Sequence, residues 1–368
     1  MNEPTGGPMN NEPVSGPGNT APITQEGLRG GRPGSKATTG AHVPPGGGGP
    51  RRKGRSGRAE PRFRSYYDLP VLNKPVWEAP DIPGYLFLGG LAGAGAVIAA
   101  GAQLTGRPEL SRAAKVTAAS AGQLSIVALI HDLGRPARFL NMLRVFKVTS
   151  PMSVGSWLLA GFVPAASVAA GTEATGRFRP LGAVATAGAA LLGPPVACYT
   201  AALISDTAVP AWHDGHRLMP FVFAGSSLSA AAGAGLLAAP VEETAALLPL
   251  AVGGGLGEVA LSEVMRRRMG VVNEAYETRP AKTYLRAAKA LTIGGAALAA
   301  TCRRSRTRAA LAGAALLTGS ALTRFGIFYA GLASAEDPKY TVVPQRERLD
   351  GHSGSSTAPG GEPDRGLP

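Results

Sequence analysis

Apolar runs near twenty residues long recur between Ile82 and Leu332, rich in Ala, Gly, Leu and Val. A helix needs ~20 such residues to cross the ~30 Å hydrocarbon core of a bilayer. No water is available inside that core, so a spanning run must pair its own N–H and C=O groups by coiling into a helix. The repetition therefore points to an all-α fold, a polytopic membrane helix bundle of about eight transmembrane helices. The mean hydropathy of +0.07 hides this, because polar ends dilute the apolar centre.

Those ends are distinct in composition. Residues 1–65 are rich in Gly, Pro, Asn and Arg, and residues 346–368 are also poor in large apolar side chains. Neither buries enough surface to offset the entropy of ordering, so both read as disordered tails on a transmembrane domain at 66–345. Arg51, Arg52, Lys53, Arg55, Arg58, Arg62 and Arg64 cluster ahead of the first run. A nucleic-acid surface needs a folded basic face or interleaved aromatics, and only Phe63 lies within the cluster. A flank touching anionic lipid on the cytoplasmic side fits better. No compact signal-peptide core precedes the first run. The expected location is the cell membrane, multi-pass, with both termini cytoplasmic. The N-terminal cluster decides that orientation, because Lys and Arg in the short loops are nearly level between the two sides.

The eight expected spans run from about Ile82 to Gln103, Ala113 to Asp132, Pro151 to Gly171 and Leu181 to Ser205. They continue with Trp212 to Ala238, Glu242 to Val264, Tyr284 to Ala300 and Ala309 to Leu332. The seventh has the weakest apolar pattern. Pro194-Pro195 falls inside the fourth, where the missing N–H groups predict a kink. The many Gly and Ala residues suit close helix packing in lipid. Cys198 and Cys302 are too few for a four-cysteine iron–sulfur cluster and read as small packing residues.

Ionisable groups within membrane helices default to a functional hypothesis. The densest group is His131-Asp132-Leu133-Gly134-Arg135-Pro136-Ala137-Arg138-Phe139, at the end of the second span. In an up-and-down bundle this end shares one membrane side with Tyr85, Trp157, Tyr199, Asp206, His213, Asp214 and His216. Glu258 and Arg324 fall inside the apolar slab near the same side. Trp157 and the tyrosines can instead be interfacial anchors. Glu258 and Arg324 can instead form a structural ion pair.

With the spans placed, the sequence resembles the polysulfide reductase membrane-subunit family, the NrfD/PsrC family. The resemblance rests on Pro75-Val76-Trp77-Glu78, Tyr85-Leu86-Phe87-Leu88-Gly89-Gly90 and His131 to Leu143. It extends to Thr149-Ser150-Pro151-Met152-Ser153-Val154-Gly155-Ser156-Trp157, Tyr199-Thr200, Ala208-Val209-Pro210-Ala211-Trp212 and Arg324-Phe325. It implies a membrane anchor that binds quinone (menaquinone or ubiquinone) and holds no haem or iron–sulfur cluster of its own. It also implies a ferredoxin-like iron–sulfur subunit and a molybdopterin catalytic subunit as partners. Carried onto this chain, the quinone pocket falls on Tyr85, Tyr199 and His131-Asp132, with Trp157 as a wall. Some members of the family have histidine where Tyr85 aligns. Beside this, Asp206, Glu258 and Arg324 are expected as proton-relay groups, and Arg135 and Arg138 as partner-docking contacts.

Two other readings compete. A dihaem cytochrome anchor needs four axial histidines in helices, and outside the tails the chain has only His131, His213 and His216. A proton- or ion-translocating protein without a redox role is the remaining alternative, although no inverted repeat is evident.

Overall fold

The computed structural model describes residues 71–355, apart from 136 and 302–304, and side chains as far as 348. The expected N-terminal tail and Cys302 lie outside the described residues. Every regular element among those described is helical: α1 (Asp81–Leu104), α2 (Pro108–Leu133), α3 (Ala137–Met142), α4 (Pro151–Thr175), α5 (Arg179–Ser205) and α6 (Pro210–His213). After them come α7 (Met219–Ala238), α8 (Leu248–Arg268), α9 (Ala281–Thr301), α10 (Arg306–Glu336) and α11 (Lys339–Ser355). Two 3₁₀ segments, Val241–Leu247 and Gly270–Glu277, precede α8 and α9. The backbone stays helical to Ser355, ten residues into the stretch expected to be a disordered tail.

Among the described residues, seven helices are long and apolar enough to cross a membrane: α1, α2, α4, α5, α7, α8 with its 3₁₀ entry, and α10. The remaining expected span, the seventh, is α9. Its 21 residues reach ~31 Å at 1.5 Å per residue, but Lys282, Arg286 and Lys289 lower the hydropathy of its first half. It lies antiparallel against α10.

Local chemistry sets the helix ends. Ser150 Oγ accepts the Ser153 N–H ahead of Pro151, and Ser305 Oγ accepts the Arg308 N–H. Each satisfies an orphan donor of the first turn. Gly134 and Gly176 end α2 and α4 at φ +69° and +67°, a conformation glycine adopts without penalty. Glu243, in the 3₁₀ segment that enters α8, closes the start of α2, its Oε2 accepting the Leu110 N–H at 2.8 Å.

Two expected boundaries move. The fifth span starts at Met219 rather than Trp212, because Pro210–His213 is a separate turn of helix and Gly215 turns the chain. Trp212 is anchored sideways instead. Its Nε1 donates to Ile327 O at 2.9 Å, and its ring lies where a Cβ on Gly331 would be, 1.9 Å away. The sixth span begins as 3₁₀ turns and becomes α-helical only at Leu248.

Small residues bring the helix axes together. A Cβ on Gly93 would lie 2.3 Å from the Gly193 carbonyl oxygen, and one on Gly193 2.4 Å from that of Gly93. This seats α1 against α5 immediately before Pro194-Pro195. The double proline lies within a continuous α5, and its missing N–H groups remove the bonds to Ala190 and Leu191. Gly225 faces Gly254 between α7 and α8, and Gly233 faces Gly313 between α7 and α10. Close backbone approach is the main source of packing gain where lipid is as apolar as the side chains.

Candidate functional site

The starts of α1 and α4 and the ends of α2 and α5 meet at one end of the bundle. Ser125 Oγ donates to the Tyr85 carbonyl and ties α2 to α1. Tyr85 and Tyr199 meet edge to face there, with ring centroids 6.4 Å apart and planes at 75°. Tyr85 is 1% exposed and Tyr199 9%. A Cβ on Gly155 would lie 2.0 Å from Tyr199 Cε2, so the absence of a side chain at Gly155 makes the space for this ring. The Tyr85 hydroxyl is buried and has no hydrogen-bond partner. An unpaired buried hydroxyl costs ~1–3 kcal/mol, which a polar group of a ligand would recover.

The other expected pocket residues sit around this pair unequally. His131 pairs with Asp81, Nδ1 to Oδ2 at 2.7 Å, and its ring is largely exposed. Asp81 lies one turn before Tyr85 on the same face of α1. Asp132 accepts the Glu78 N–H at 3.5 Å, while the imidazole is held by Asp81. Trp157 is half-exposed and packs edge-on against Phe146, centroids 6.2 Å apart. It lies two residues beyond Gly155, on the opposite side of α4 from Tyr199. The structure thus joins Tyr85 with Tyr199 and His131 with Asp81, and leaves Trp157 outside both pairs.

A second polar group lies deeper, between α7, α8 and α10. Thr323 Oγ1 donates to Glu258 Oε1 at 2.6 Å, while Glu258 Oε2 is buried without a partner. Arg324 is fully buried. Its Nη2 donates to Phe223 O at 3.1 Å and Ser227 Oγ at 3.2 Å, and its guanidinium lies 3.8 Å from the Phe223 ring centroid. Its Nε and Nη1 have no acceptor. The ion pairs among the described residues do not join Glu258 to Arg324. Each is held by hydroxyls, a carbonyl or a ring instead. A Cβ on Gly90 would lie 3.5 Å from Arg324 Nη2. Gly90 is five residues beyond Tyr85, ~7.5 Å along α1, so α1 carries both polar groups.

Glu258 also lines a small cleft of about 50 Å³ with Ser262, Glu263, Lys289, Thr292 and Thr323. That volume holds at least one water, which needs ~10–15 Å³. Asp206 caps the end of α5 and is exposed, away from Glu258. Arg135 and Arg138 are exposed, and Arg138 Nη1 donates to the Leu133 carbonyl, closing the end of α2.

Several contributors escape a reading of the sequence. Asp81 is 50 residues from His131, and Thr323, Ser226 and Ser227 look like ordinary small helix residues. The sequence signal available for them was their recurrence within apolar spans. Ser226 Oγ donates to Ser320 Oγ at 2.8 Å, which confirms that polar residues of α7 and α10 face each other. His213 and His216 stack with centroids 5.5 Å apart in the turn before α7. Among the described residues, no group of three or more His, Cys, Asp or Glu is placed to hold a metal ion.

None of the curated proteins matches the chain. The family model described as "Polysulphide reductase, NrfD" matches residues 70–244. The match takes in α1 to α7, and so Tyr85, His131, Asp132, Trp157 and Tyr199. It ends before α8 and α10, which carry Glu258 and Arg324. The family implies a membrane subunit of a molybdopterin and iron–sulfur oxidoreductase, which agrees with seven helices fit to cross a membrane. Over residues 70–244, just under half of the chain, this multi-pass membrane protein is similar to the polysulphide reductase, NrfD family.

Proposed function

We propose that the chain is the quinone-reactive membrane anchor of such a complex, passing electrons between the quinone pool and an iron–sulfur partner subunit. The observation that carries this reading is the buried, unpartnered Tyr85 hydroxyl set edge-on to Tyr199. A quinone presents two carbonyl oxygens, and a phenol is a ready donor to either. Tyr85 and Tyr199 would each donate to one end of the ring system. A quinol leaving as quinone gives up two electrons and two protons. The His131–Asp81 pair, one turn from Tyr85, is exposed to water and would pass a proton outward. The electrons go to a cluster on the partner, whose docking surface would include the exposed Arg135 and Arg138.

Glu258 and Arg324 would serve as inner relay groups. Support comes from the open valences of Glu258 Oε2 and Arg324 Nε and Nη1, since buried polar groups are ordinarily paired. Asp206, exposed at the end of α5, would be a surface member of that relay. The same open valences favour the second reading, an ion-translocating protein without a redox role.

The two readings separate in one preparation. Purified in mild detergent, the protein is expected to carry an iron–sulfur subunit and a molybdopterin subunit, and the complex to react with a menaquinol or ubiquinol analogue. Isolation without such partners, together with proton or ion uptake by the chain alone in liposomes, would select the second reading.

A further inference from the structure

A cleft lies at the opposite end of the bundle from Tyr85 and Tyr199. It encloses about 450 Å³ between the end of α1, the start of α2, the end of α4 and the start of α5. Its inner wall is Lys115, only 5% exposed. Lys115 Nζ donates to Gln103 Oε1 at 2.7 Å and to Glu173 Oε2 at 2.8 Å. An ammonium has three donors, so one remains. Arg107 and Arg179 flank the opening, and Arg107 Nη1 donates to Thr105 Oγ1. Arg107, Lys115 and Arg179 against the single carboxylate Glu173 leave two positive charges lining the cleft.

Two further observations define what the cleft takes. It lies where four membrane-spanning helices end, which is the depth of the lipid headgroups. Beside it, Leu104, Phe178, Leu181 and Val184 expose apolar side chains, a track fit for hydrocarbon. The space between α4 and α5 is held by small residues. A Cβ on Gly182 would come within 2.4 Å of Thr172 Oγ1, so the cleft's width is built into the helix contact.

We propose that this cleft binds the phosphate headgroup of an anionic membrane lipid. The phosphodiester sits between Arg107 and Arg179, with the remaining Lys115 donor behind it, and the acyl chains run along the exposed apolar side chains. Guanidinium groups suit this role because their fork matches phosphate oxygens. Basic pockets between membrane helices are a recurrent form of headgroup site. The site is independent of the quinone reading, because it shares no residue with it.

The test uses the full chain in an uncharged detergent, by native mass spectrometry and thermal unfolding, with phosphatidylglycerol and phosphatidylcholine titrated separately. The expected result is retention of phosphatidylglycerol at roughly tenfold lower concentration than phosphatidylcholine, the scale of one charge-assisted contact. Phosphatidylglycerol is also expected to raise the unfolding temperature. The Arg107→Gln/Arg179→Gln double variant is expected to lose the preference while unfolding normally in phosphatidylcholine. Lys115 is left in place, because removing it would strand Glu173. Equal retention of both lipids by the unaltered chain overturns the proposal without recourse to any variant. So does a preference that survives in the folded double variant, or an equal rise in unfolding temperature with inorganic phosphate at the same concentration.

Discussion

Gly155 and Tyr199 share one space: a Cβ on Gly155 would lie 2.0 Å from Tyr199 Cε2 and 2.5 Å from Cζ. The position of the Tyr199 phenol is therefore set by what α4 lacks. Gly155→Ala must push the ring off Tyr85, whose centroid is 6.4 Å away. Overpacking of this kind costs ~1–3 kcal/mol, read as a lower unfolding temperature. Gly171→Ala is the control, because nothing lies within 4 Å of that Cβ, and it should leave stability unchanged or improve it.

Thr323→Val removes the donor to Glu258 Oε1. Both oxygens of a buried carboxyl are then unpartnered, and the expected destabilisation is ~1–3 kcal/mol. Glu258→Gln in the same background should recover part of it, since a neutral amide is less costly to bury than a carboxylate. A thermal unfolding series on the four chains measures both effects.

The cleft beside Glu258 predicts access to that side chain. A hydrophobic carbodiimide, which adds to a carboxyl group together with a proton, should modify Glu258 in intact membranes, and Glu258→Gln should abolish that adduct in a peptide mass map. An unmodified Glu258 beside labelled surface carboxyls would show that the cleft does not admit the reagent.

Arg324→Lys is not a conservative change here. The guanidinium lies over Phe223 and reaches Phe223 O and Ser227 Oγ with one nitrogen, and a compact ammonium cannot reproduce this planar arrangement. The lysine variant should lose at least ~1 kcal/mol of stability, and Ser227→Ala should lose less. Equal stability of Arg324→Lys and the parent would contradict the assigned geometry.

Outside the spans, Lys282 holds the Glu277 carboxyl below its ordinary value of 4.5, and Arg266 helps, against a partial opposing effect of burial. A depressed carboxylate stabilises the fold above its unfolded value and loses that contribution as pH falls through the folded one. The 3₁₀ segment Gly270–Glu277 should therefore exchange amide hydrogens faster only below about pH 4.5. Glu277→Gln should flatten that response.

What the sequence made legible and what it concealed follow from range. Span length is a property of one contiguous segment, so the helices were visible to within a few residues, and Ser150-Pro151 marked the start of α4. The start of α7 is not legible locally, because Trp212 looks like the beginning of an apolar run. Only contact with Gly331, 119 residues later, shows that it is a side anchor. The weak seventh span was visible as weak, because Lys282, Arg286 and Lys289 are local information. Glu258 and Arg324 are recognisable as buried, but their partners Thr323, Phe223 and Ser227 are not, and the alternative of a structural ion pair between them gives way to separate hydrogen bonding. The carboxylate nearest in sequence to partner His131 is Asp132. The helix geometry gives that place to Asp81, which no local pattern reveals.

The central claim is that Tyr85 and Tyr199 donate to quinone. It is tested most directly by steady-state quinol kinetics of the purified complex carrying Tyr85→Phe or Tyr199→Phe, beside the partner's activity with a soluble dye. Loss of one hydrogen bond worth ~1.4 kcal/mol predicts about a tenfold fall in kcat/KM for quinol, with dye activity and assembly unchanged. Quinol kinetics equal to the parent in both assembled variants would contradict the account.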